Sequence, residues 1–194
     1  MKKYIRLSIY FILFTALIGA FIYLGKKDFS DTTKKEDNVK FAQEYSINKD
    51  NPFVYTYGSE VVDIIKNKSG IVYLGFSSSD WCKYYIKYLY DVLKDNDVKK
   101  VYYYDILKDR TKNTKYYREL ENLLSDYLYE LDNGNIHVLT PALLFVKDGK
   151  VIYFDDETSI ERNNLTPDLY WTNENIDNFK NKINTYIKEV GIYE

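Results

Sequence analysis

The apolar run Ile71–Phe76 is the sequence feature that most restricts the fold of this chain. It lacks the polar–apolar alternation of a strand with one solvated face, so it predicts a strand covered on both faces. A helical pattern begins soon after it at Ser79, with Tyr85, Leu89 and Val92 spaced along one helix face. A doubly buried strand followed at once by a helix is typical of the α/β class.

Similar patterns fill most of residues 53–190. Predicted strands cover Phe53–Tyr57, Ile71–Phe76, Val101–Tyr104, Ala142–Val146 and Val151–Phe154. Predicted helices cover Val61–Ile65, a segment from Ser79, Tyr117–Leu131 and Ile176–Val190. The last two strands are joined through Asp148-Gly149, a strong hairpin signal. The order β-α-β-α-β-α-β-β-α predicts an α/β fold with a central mixed sheet and helices on both faces.

An uncharged run of 19 residues, Leu7–Gly25, lies between two basic clusters near the N-terminus. A membrane-spanning helix needs about 20 mostly apolar residues, and this run shows no polar stripe. We therefore predict a transmembrane signal anchor over residues 7–25, with residues 1–6 in the cytoplasm. A cleavable signal peptide is the alternative, but Ile18 is a poor residue for a small-x-small site ending at Ala20.

The orientation of the anchor predicts a single-pass protein of the cell membrane whose domain lies outside the cytoplasm. Residues 26–52 are polar and mixed in charge, and we predict that they form an extracytoplasmic linker. Residues 53–194 then form the globular domain. The membrane itself is one predicted partner of the chain.

Charge and composition exclude several functions. Residues 1–27 contain five basic residues and no acid, so the remainder holds 22 basic and 29 acidic residues, a net charge of −7. Nucleic acid is therefore not an expected partner, because its phosphates require a basic face. The single Cys excludes an internal disulfide and a multi-Cys metal site, and the single His excludes a His-rich one. We expect no metal and no cofactor.

Three local patterns, together with the element order, resemble the thioredoxin-like superfamily. The first is Gly70–Tyr85, a buried strand that leads into a helix starting with a Trp-Cys pair. The second is Leu139–Phe145 with its Thr-Pro pair, followed by a hairpin, and the third is the closing amphipathic helix. The resemblance covers about residues 53–190. It is closest to small bacterial membrane-anchored thioredoxin-like proteins, a group that includes bacteriocin-transport accessory proteins.

The segment Ser79-Asp80-Trp81-Cys82 falls on the Cys-Pro-Trp-Cys motif of that group. Trp81 and Cys82 match, whereas Ser79 stands where the nucleophilic Cys belongs and Asp80 replaces Pro. The motif is therefore a degenerate CxxC. Ser79 and Asp80 also form a good helix start, because Ser is a strong N-cap and an acid in the first turn suits the helix dipole.

An alternative alignment makes Cys82 the first Cys of the Cys-x-x-Cys motif, whose last position would then be Tyr85. The resemblance implies buried residues three, seven and ten positions after the second Cys. Counted from Cys82 these are Tyr85, Leu89 and Val92, which all suit a core. Counted from Tyr85 the last is Asp95, so the helix phase favours Cys82 as the second position.

The degenerate motif, with a single Cys, permits only limited redox chemistry. Dithiol exchange needs one thiolate to attack and a second thiol to resolve, and the Ser79 hydroxyl cannot attack a disulfide. A largely buried Cys82 would have a raised pKa and low reactivity. The resemblance implies a cis bond before Pro141, with Thr140 offering its backbone to an extended peptide. Trp81, Thr140 and Pro141 are thus the candidate residues for binding a partner.

We therefore predict an accessory protein of bacterial secretion or transport that binds a peptide or protein partner at this groove. One alternative is a monothiol oxidoreductase that uses Cys82. Another is a purely structural subunit of a membrane complex. The sequence is compatible with all three functions.

Two other sets of residues have the types that could form a functional site. His137 has no obvious partner in the sequence, which favours a structural role. Residues Asp155–Thr172 form a polar insertion before the last helix. Its acidic residues predict a solvated loop, with a cation site as the alternative; these are Asp155, Asp156, Glu157 and Glu161.

Overall fold

A computed structural model describes residues 14–16, 18–19, 34–130, 136–157 and 165–191. The chain forms two compact units, Met1–Asp37 and Asn38–Glu194. In the first unit, residues 14–16, 18–19 and 34–37 are helical. Among the described residues no helix is both long enough and apolar enough to cross a bilayer. Residues 1–6 and most of the predicted anchor Leu7–Gly25 lie outside the described residues.

The second unit is built on a mixed five-stranded sheet with the strand order β1-β3-β2-β4-β5. The strands are β1 (Phe53–Tyr55), β2 (Gly70–Gly75), β3 (Val101–Asp105), β4 (Ala142–Lys147) and β5 (Lys150–Asp155). β1, β3 and β2 are parallel to one another, whereas β4 is antiparallel to β2 and β5 is antiparallel to β4. The predicted α/β class and mixed sheet are confirmed.

Helices lie before, between and after the strands. They are α1 (helical residues 38–45), α2 (Gly58–Asn67), α3 (Asp80–Asp95), α4 (Leu107–Thr111), α5 (Lys115–Leu123), α6 (Pro167–Tyr170) and α7 (Asn173–Val190). A short 3-10 turn follows α5 at Ser125–Tyr127. From β1 onwards the predicted order of major elements is confirmed, and the helices α1, α4 and α6 are additions to it.

The two faces of β2 separate the core into two layers. Ile71 and Tyr73 face the layer formed with α1, α3 and α7, whereas Val72 and Leu74 face the layer formed with α2 and α5. All four side chains are fully buried. The strand is therefore covered on both sides, as the unbroken apolar run predicted.

The predicted linker differs from the structure in its second half. Residues 38–52 belong to the same compact unit as the sheet, so the domain begins before the predicted boundary at residue 53. Phe41 is fully buried and stacks on Phe53 with 4.0 Å between ring centroids. Tyr45 is buried beside it and donates a hydrogen bond to the Tyr103 hydroxyl at 3.1 Å. Residues 26–33 lie outside the described residues.

The third predicted helix, Tyr117–Leu131, is shorter in the structure. α5 ends at Leu123, and Leu124 leaves helical geometry with φ −102° and ψ 4°. The hydroxyl of Ser125 bonds the Asn122 carbonyl, which offers the backbone an alternative to a further helical turn. The stop predicted at Asn133-Gly134 lies outside the described residues.

The hairpin between β4 and β5 turns at Asp148-Gly149, as predicted. Both residues have positive φ, 49° and 72°, which is the geometry of the tight turns that favour glycine. Gly149 also donates a backbone hydrogen bond to Lys68 at 2.9 Å. A Cβ at this position would lie 2.3 Å from the Lys66 carbonyl oxygen, so only glycine fits there.

Three chain segments meet at one edge of the sheet. β2 and β3 are parallel neighbours that end opposite each other, at Gly75 and Asp105. β4 runs the other way, with Ala142 opposite Leu74, so the segment before β4 arrives at the same edge. In open α/β sheets, binding sites form outside the carboxyl ends of the parallel strands.

Candidate functional site

The start of α3 is built as the sequence predicted. Ser79 is the N-cap, and its hydroxyl accepts a hydrogen bond from the Cys82 backbone N–H at 3.4 Å. Asp80 occupies the first turn and pairs with Lys83 on the exposed surface. The helix buries Tyr85, which supports the phase that places Cys82 one turn inside. The hydroxyl of Ser79 therefore has a structural partner.

Cys82 is fully buried and forms no disulfide. Burial raises the pKa of its thiol. Hydrogen bonding by the Phe76 backbone and by nearby hydroxyl groups offsets only part of that rise; these hydroxyls belong to Tyr73, Ser79 and Thr140. The thiol form is thus favoured over the thiolate that attacks disulfides. We call Cys82, Tyr73, Ser79 and Thr140 the thiol cluster.

Tyr73 extends from β2 into this cluster. Its hydroxyl is buried without a hydrogen bond of normal geometry, although it lies close enough to the Cys82 thiol to alter the pKa of that thiol. The ring also covers Gly75, where a Cβ would lie 2.5 Å from the Tyr73 hydroxyl oxygen. A glycine at the strand end therefore makes room for this tyrosine.

The bond between Thr140 and Pro141 is cis, as predicted. Both residues are buried, and the Thr140 side chain lies beside the Cys82 thiol. In the described part of the chain, no hydrogen bond forms to the backbone of Leu139 or Thr140. As far as the described residues extend, the backbone of this segment is therefore unpaired at the edge where β2 and β3 end.

Trp81 occupies the same helix start but has a different neighbourhood. Its ring lies 5.8 Å from that of Tyr170, centroid to centroid, and is partly exposed. Tyr170 belongs to α6, inside the predicted polar insertion. The insertion thus packs beside a predicted binding residue. The structure brings Ser79, Cys82 and Thr140 together, with Pro141 adjacent and Trp81 on the flank.

The acidic loop predicted after β5 is instead partly buried. Asp155 is 4% exposed and Glu157 is 8% exposed. The Lys182 ammonium pairs with both carboxylates, at 2.6 Å from Glu157, and Tyr85 donates a hydrogen bond to Asp155 at 2.9 Å. We call these four residues the carboxylate cluster. Asp156 lies between the two acids, and Glu161 lies outside the described residues.

Electrostatics agree with this pairing. Burial raises the pKa of Asp155, and the Lys182 charge opposes that rise. Burial alone would lower the pKa of Lys182, but the two carboxylates overcome it and hold that pKa above its usual range. Within the described residues, no group of three or more His, Cys, Asp or Glu side chains could hold a metal ion. The positive charge between Asp155 and Glu157 is that of Lys182 on α7.

His137 has a partner that the sequence did not suggest. Its Nδ1 lies 2.8 Å from a carboxylate oxygen of Glu121 on α5, and the ring is exposed. Helical periodicity places Glu121 on α5, but it does not show which loop returns to that helix. The pair was therefore beyond prediction from sequence pattern alone.

The chemistry of the site follows from these contacts. One thiol, buried and with a raised pKa, has no second thiol to resolve a mixed disulfide. Within the described residues, the backbone donors and acceptors of Leu139 and Thr140 have no partners, which is what an added strand requires. The sequence matches no family model, and it has no significant match among curated proteins or solved structures.

Proposed function

We propose that Asn38–Glu194 is a thioredoxin-like binding domain that has lost dithiol exchange and captures an extended peptide segment beside Thr140. The observation that carries the proposal is the unpaired backbone of Leu139 and Thr140 next to a buried thiol. An extended peptide supplies partners to such backbone donors and acceptors when it adds as a strand. The strand order β1-β3-β2-β4-β5 supports the thioredoxin-like assignment.

The cellular setting is part of the same proposal and is supported by the sequence. The uncharged run Leu7–Gly25 anchors the chain in the cell membrane, with the domain on the extracytoplasmic side. The captured segment belongs to a protein or peptide of a secretion or transport system, in which this chain acts as an accessory. The domain Asn38–Glu194 holds 20 basic and 25 acidic residues, and a net charge of −5 is unsuited to nucleic acid.

Loss of exchange is tested by restoring the missing thiol. In the full-length chain, Ser79→Cys should form an intrachain disulfide with Cys82 on mild oxidation and gain disulfide reductase activity towards insulin with dithiothreitol. The unaltered chain should show neither, and its thiol should react with Ellman's reagent at least about tenfold more slowly than glutathione at pH 8. Trapping of mixed disulfides by unaltered Cys82 would instead favour the monothiol oxidoreductase.

Capture is tested by hydrogen exchange in the full-length chain. We expect a pool of capped, extended decapeptides rich in Val and Thr to slow exchange at the Leu139 and Thr140 amides. A matched pool with N-methylated backbones should give no protection, because it cannot complete a ladder of hydrogen bonds. Unchanged exchange at both amides with either pool would refute capture at this edge.

A further inference from the structure

A cleft of about 610 Å³ lies next to the proposed capture edge. One wall comes from α4, α5 and the turn between them, through Arg110, Asn113 and Arg118. The opposite wall is the segment that leads to β4, through His137 and Leu139. Leu139 directly precedes Thr140, so a peptide paired with this backbone would pass the mouth of the cleft.

The cations of the cleft are unusual for this chain. Of 27 basic residues only four are arginines, Arg6, Arg110, Arg118 and Arg162. Arg110 and Arg118 are the two that the structure describes, and both line the cleft. Arginine presents a planar fork of donors that matches a carboxylate in a bidentate way, which lysine cannot do. The cleft therefore concentrates the residue type suited to anions.

Neither guanidinium is neutralised by an acid in the described part of the chain. Arg118 donates to the Asn113 carbonyl, and Arg110 lies 5.2 Å from the centre of the Phe76 ring. The carboxylate in the wall, Glu121, is already paired with His137 at 2.8 Å. Two arginines against one glutamate leave the lining residues with a net positive charge, within a domain whose 20 basic and 25 acidic residues give a net charge of −5.

A buried hydroxyl adds a polar group to the same wall. The Tyr117 hydroxyl is buried without a hydrogen bond of normal geometry, although Glu121 and the Val138 backbone are near enough to influence its pKa. Tyr117 lies in the first turn of α5, a helix capped by Thr114. The positive end of the α5 dipole is therefore on the same side as the two arginines.

Two contacts join the cleft to the thiol cluster. Arg110 packs over Phe76, whose backbone is near enough to the Cys82 thiol to lower the pKa of that thiol. Leu139 continues into Thr140, whose side chain lies beside the same thiol. The cleft and the unpaired backbone thus occupy one edge of the sheet, where β2 and β3 end.

We propose that this cleft binds a carboxylate of the captured peptide through Arg110 and Arg118, so that the domain selects acidic segments. The proposal rests on the capture function given above and specifies its substrate class. The carboxylate comes from an Asp or Glu side chain or from the peptide C-terminus. Arg118 is exposed and can reach the incoming group, whereas Arg110 is held by Phe76 and presents a fixed charge.

Paired peptide pools test this selectivity in the full-length chain. The first pool carries one Glu within capped decapeptides rich in Val and Thr, and the second carries Gln in its place. A third pool lacks Glu and ends in a free carboxylate. With a neutral dye and fluorescence anisotropy, we expect the Glu pool or the free-carboxylate pool to bind about tenfold more tightly than the Gln pool.

Substitutions test whether the cleft causes the preference for peptides that carry a carboxylate. The double variant R110Q/R118Q should lose the preference while its affinity for the Gln pool is unchanged, and R118Q alone should lose part of it. R110K/R118K should keep only a reduced preference, because lysine lacks the bidentate fork. The control K94Q/K188Q removes the same charge from exposed positions on α3 and α7 and should keep the full preference.

The possible failures can be distinguished. Equal binding of the three pools, with the Leu139 and Thr140 amides still protected, overturns the carboxylate site and leaves capture intact. A preference that K94Q/K188Q removes as fully as R110Q/R118Q also overturns the site, because the effect is then one of net charge. No binding by any pool, with no protection, overturns capture and the carboxylate site together. Thermal unfolding of each variant confirms that its fold is retained.

Discussion

The thiol cluster and the carboxylate cluster lie one helical turn apart on α3, yet they differ in electrostatic character. Cys82 faces uncharged hydroxyl groups and a raised pKa keeps its thiol neutral. Tyr85, three residues later, donates to Asp155, which shares Lys182 with Glu157. One cluster is neutral and partly unsatisfied, and the other is charged and paired.

The difference shows that burial and partners decide what a side chain does. Cys82 has the residue type of a redox site, but its side chain is fully buried and the chain has no second thiol. Asp155 and Glu157 have the residue types of a solvated loop, but they are buried and held by a lysine. Burial therefore disfavours the thiolate where the residue type suggests redox chemistry, and buried ion pairs form where the residue types suggest a solvated loop.

The largest expected effect comes from removing the shared cation. Lys182→Met leaves two buried carboxylates without a counter-charge, which should lower the free energy of unfolding by about 3 kcal/mol. We place this at the low end for a buried pair because the Lys182 side chain is 35% exposed. Urea denaturation measures the change. Adding Asp155→Asn and Glu157→Gln should recover most of the loss, and a failure to recover it would contradict the electrostatic cause.

A matched pair of Tyr→Phe variants compares the two clusters directly. Tyr85→Phe removes a hydrogen bond to a buried carboxylate and should cost about 1.5–3 kcal/mol of unfolding free energy. Tyr73→Phe removes a buried hydroxyl that makes no hydrogen bond of normal geometry, so the change should lie within about 0.5 kcal/mol or be stabilising. Both rings are fully buried, so the loss of a hydroxyl is the same chemical change. Equal losses of unfolding free energy in the two variants would contradict the proposed difference between the two clusters.

A smaller loss than that of Tyr85→Phe should come from Ser79, the residue at the position of the nucleophilic Cys. Ser79→Ala removes the N-cap of α3 and should cost about 0.5–1 kcal/mol, because the bond to the Cys82 N–H is long at 3.4 Å. Ser79→Asp is the control, since Asp is an equally good cap and should restore the stability. Thermal unfolding followed by circular dichroism measures both. A cost above 2 kcal/mol would mean that the hydroxyl does more than cap the helix.

Much of the fold was predictable because its signals are local. The run Ile71–Phe76, the cap at Ser79 and the turn at Asp148-Gly149 each determine a structure within a few neighbouring residues. The gathering of Ser79, Cys82 and Thr140 was also predicted, through the resemblance of those motifs to a known arrangement.

The remainder depends on contacts between residues that are distant in the sequence. Phe41 and Tyr45 lie in a polar segment without a strong apolar period, so nothing local indicated that they belong to the core. Lys182 lies 25 residues after Glu157, and no pattern connects a loop acid to a lysine on a later helix. For Arg110 and Arg118 one signal was present, namely the scarcity of arginine in a chain rich in lysine.

The abundance of tyrosine in the core has a consequence for the pH range in which the protein stays folded. Burial holds the pKa values of Tyr73 and Tyr85 well above the ordinary 10.0, so both remain protonated in the folded state when the unfolded chain has already lost those protons. Folded stability must then fall as the pH rises above 10.0, by about 1.4 kcal/mol per pH unit for each such tyrosine. Lys182, whose pKa is also raised, acts in the same direction. An aliphatic core has no such groups to deprotonate, whereas this tyrosine-rich core should favour unfolding at alkaline pH.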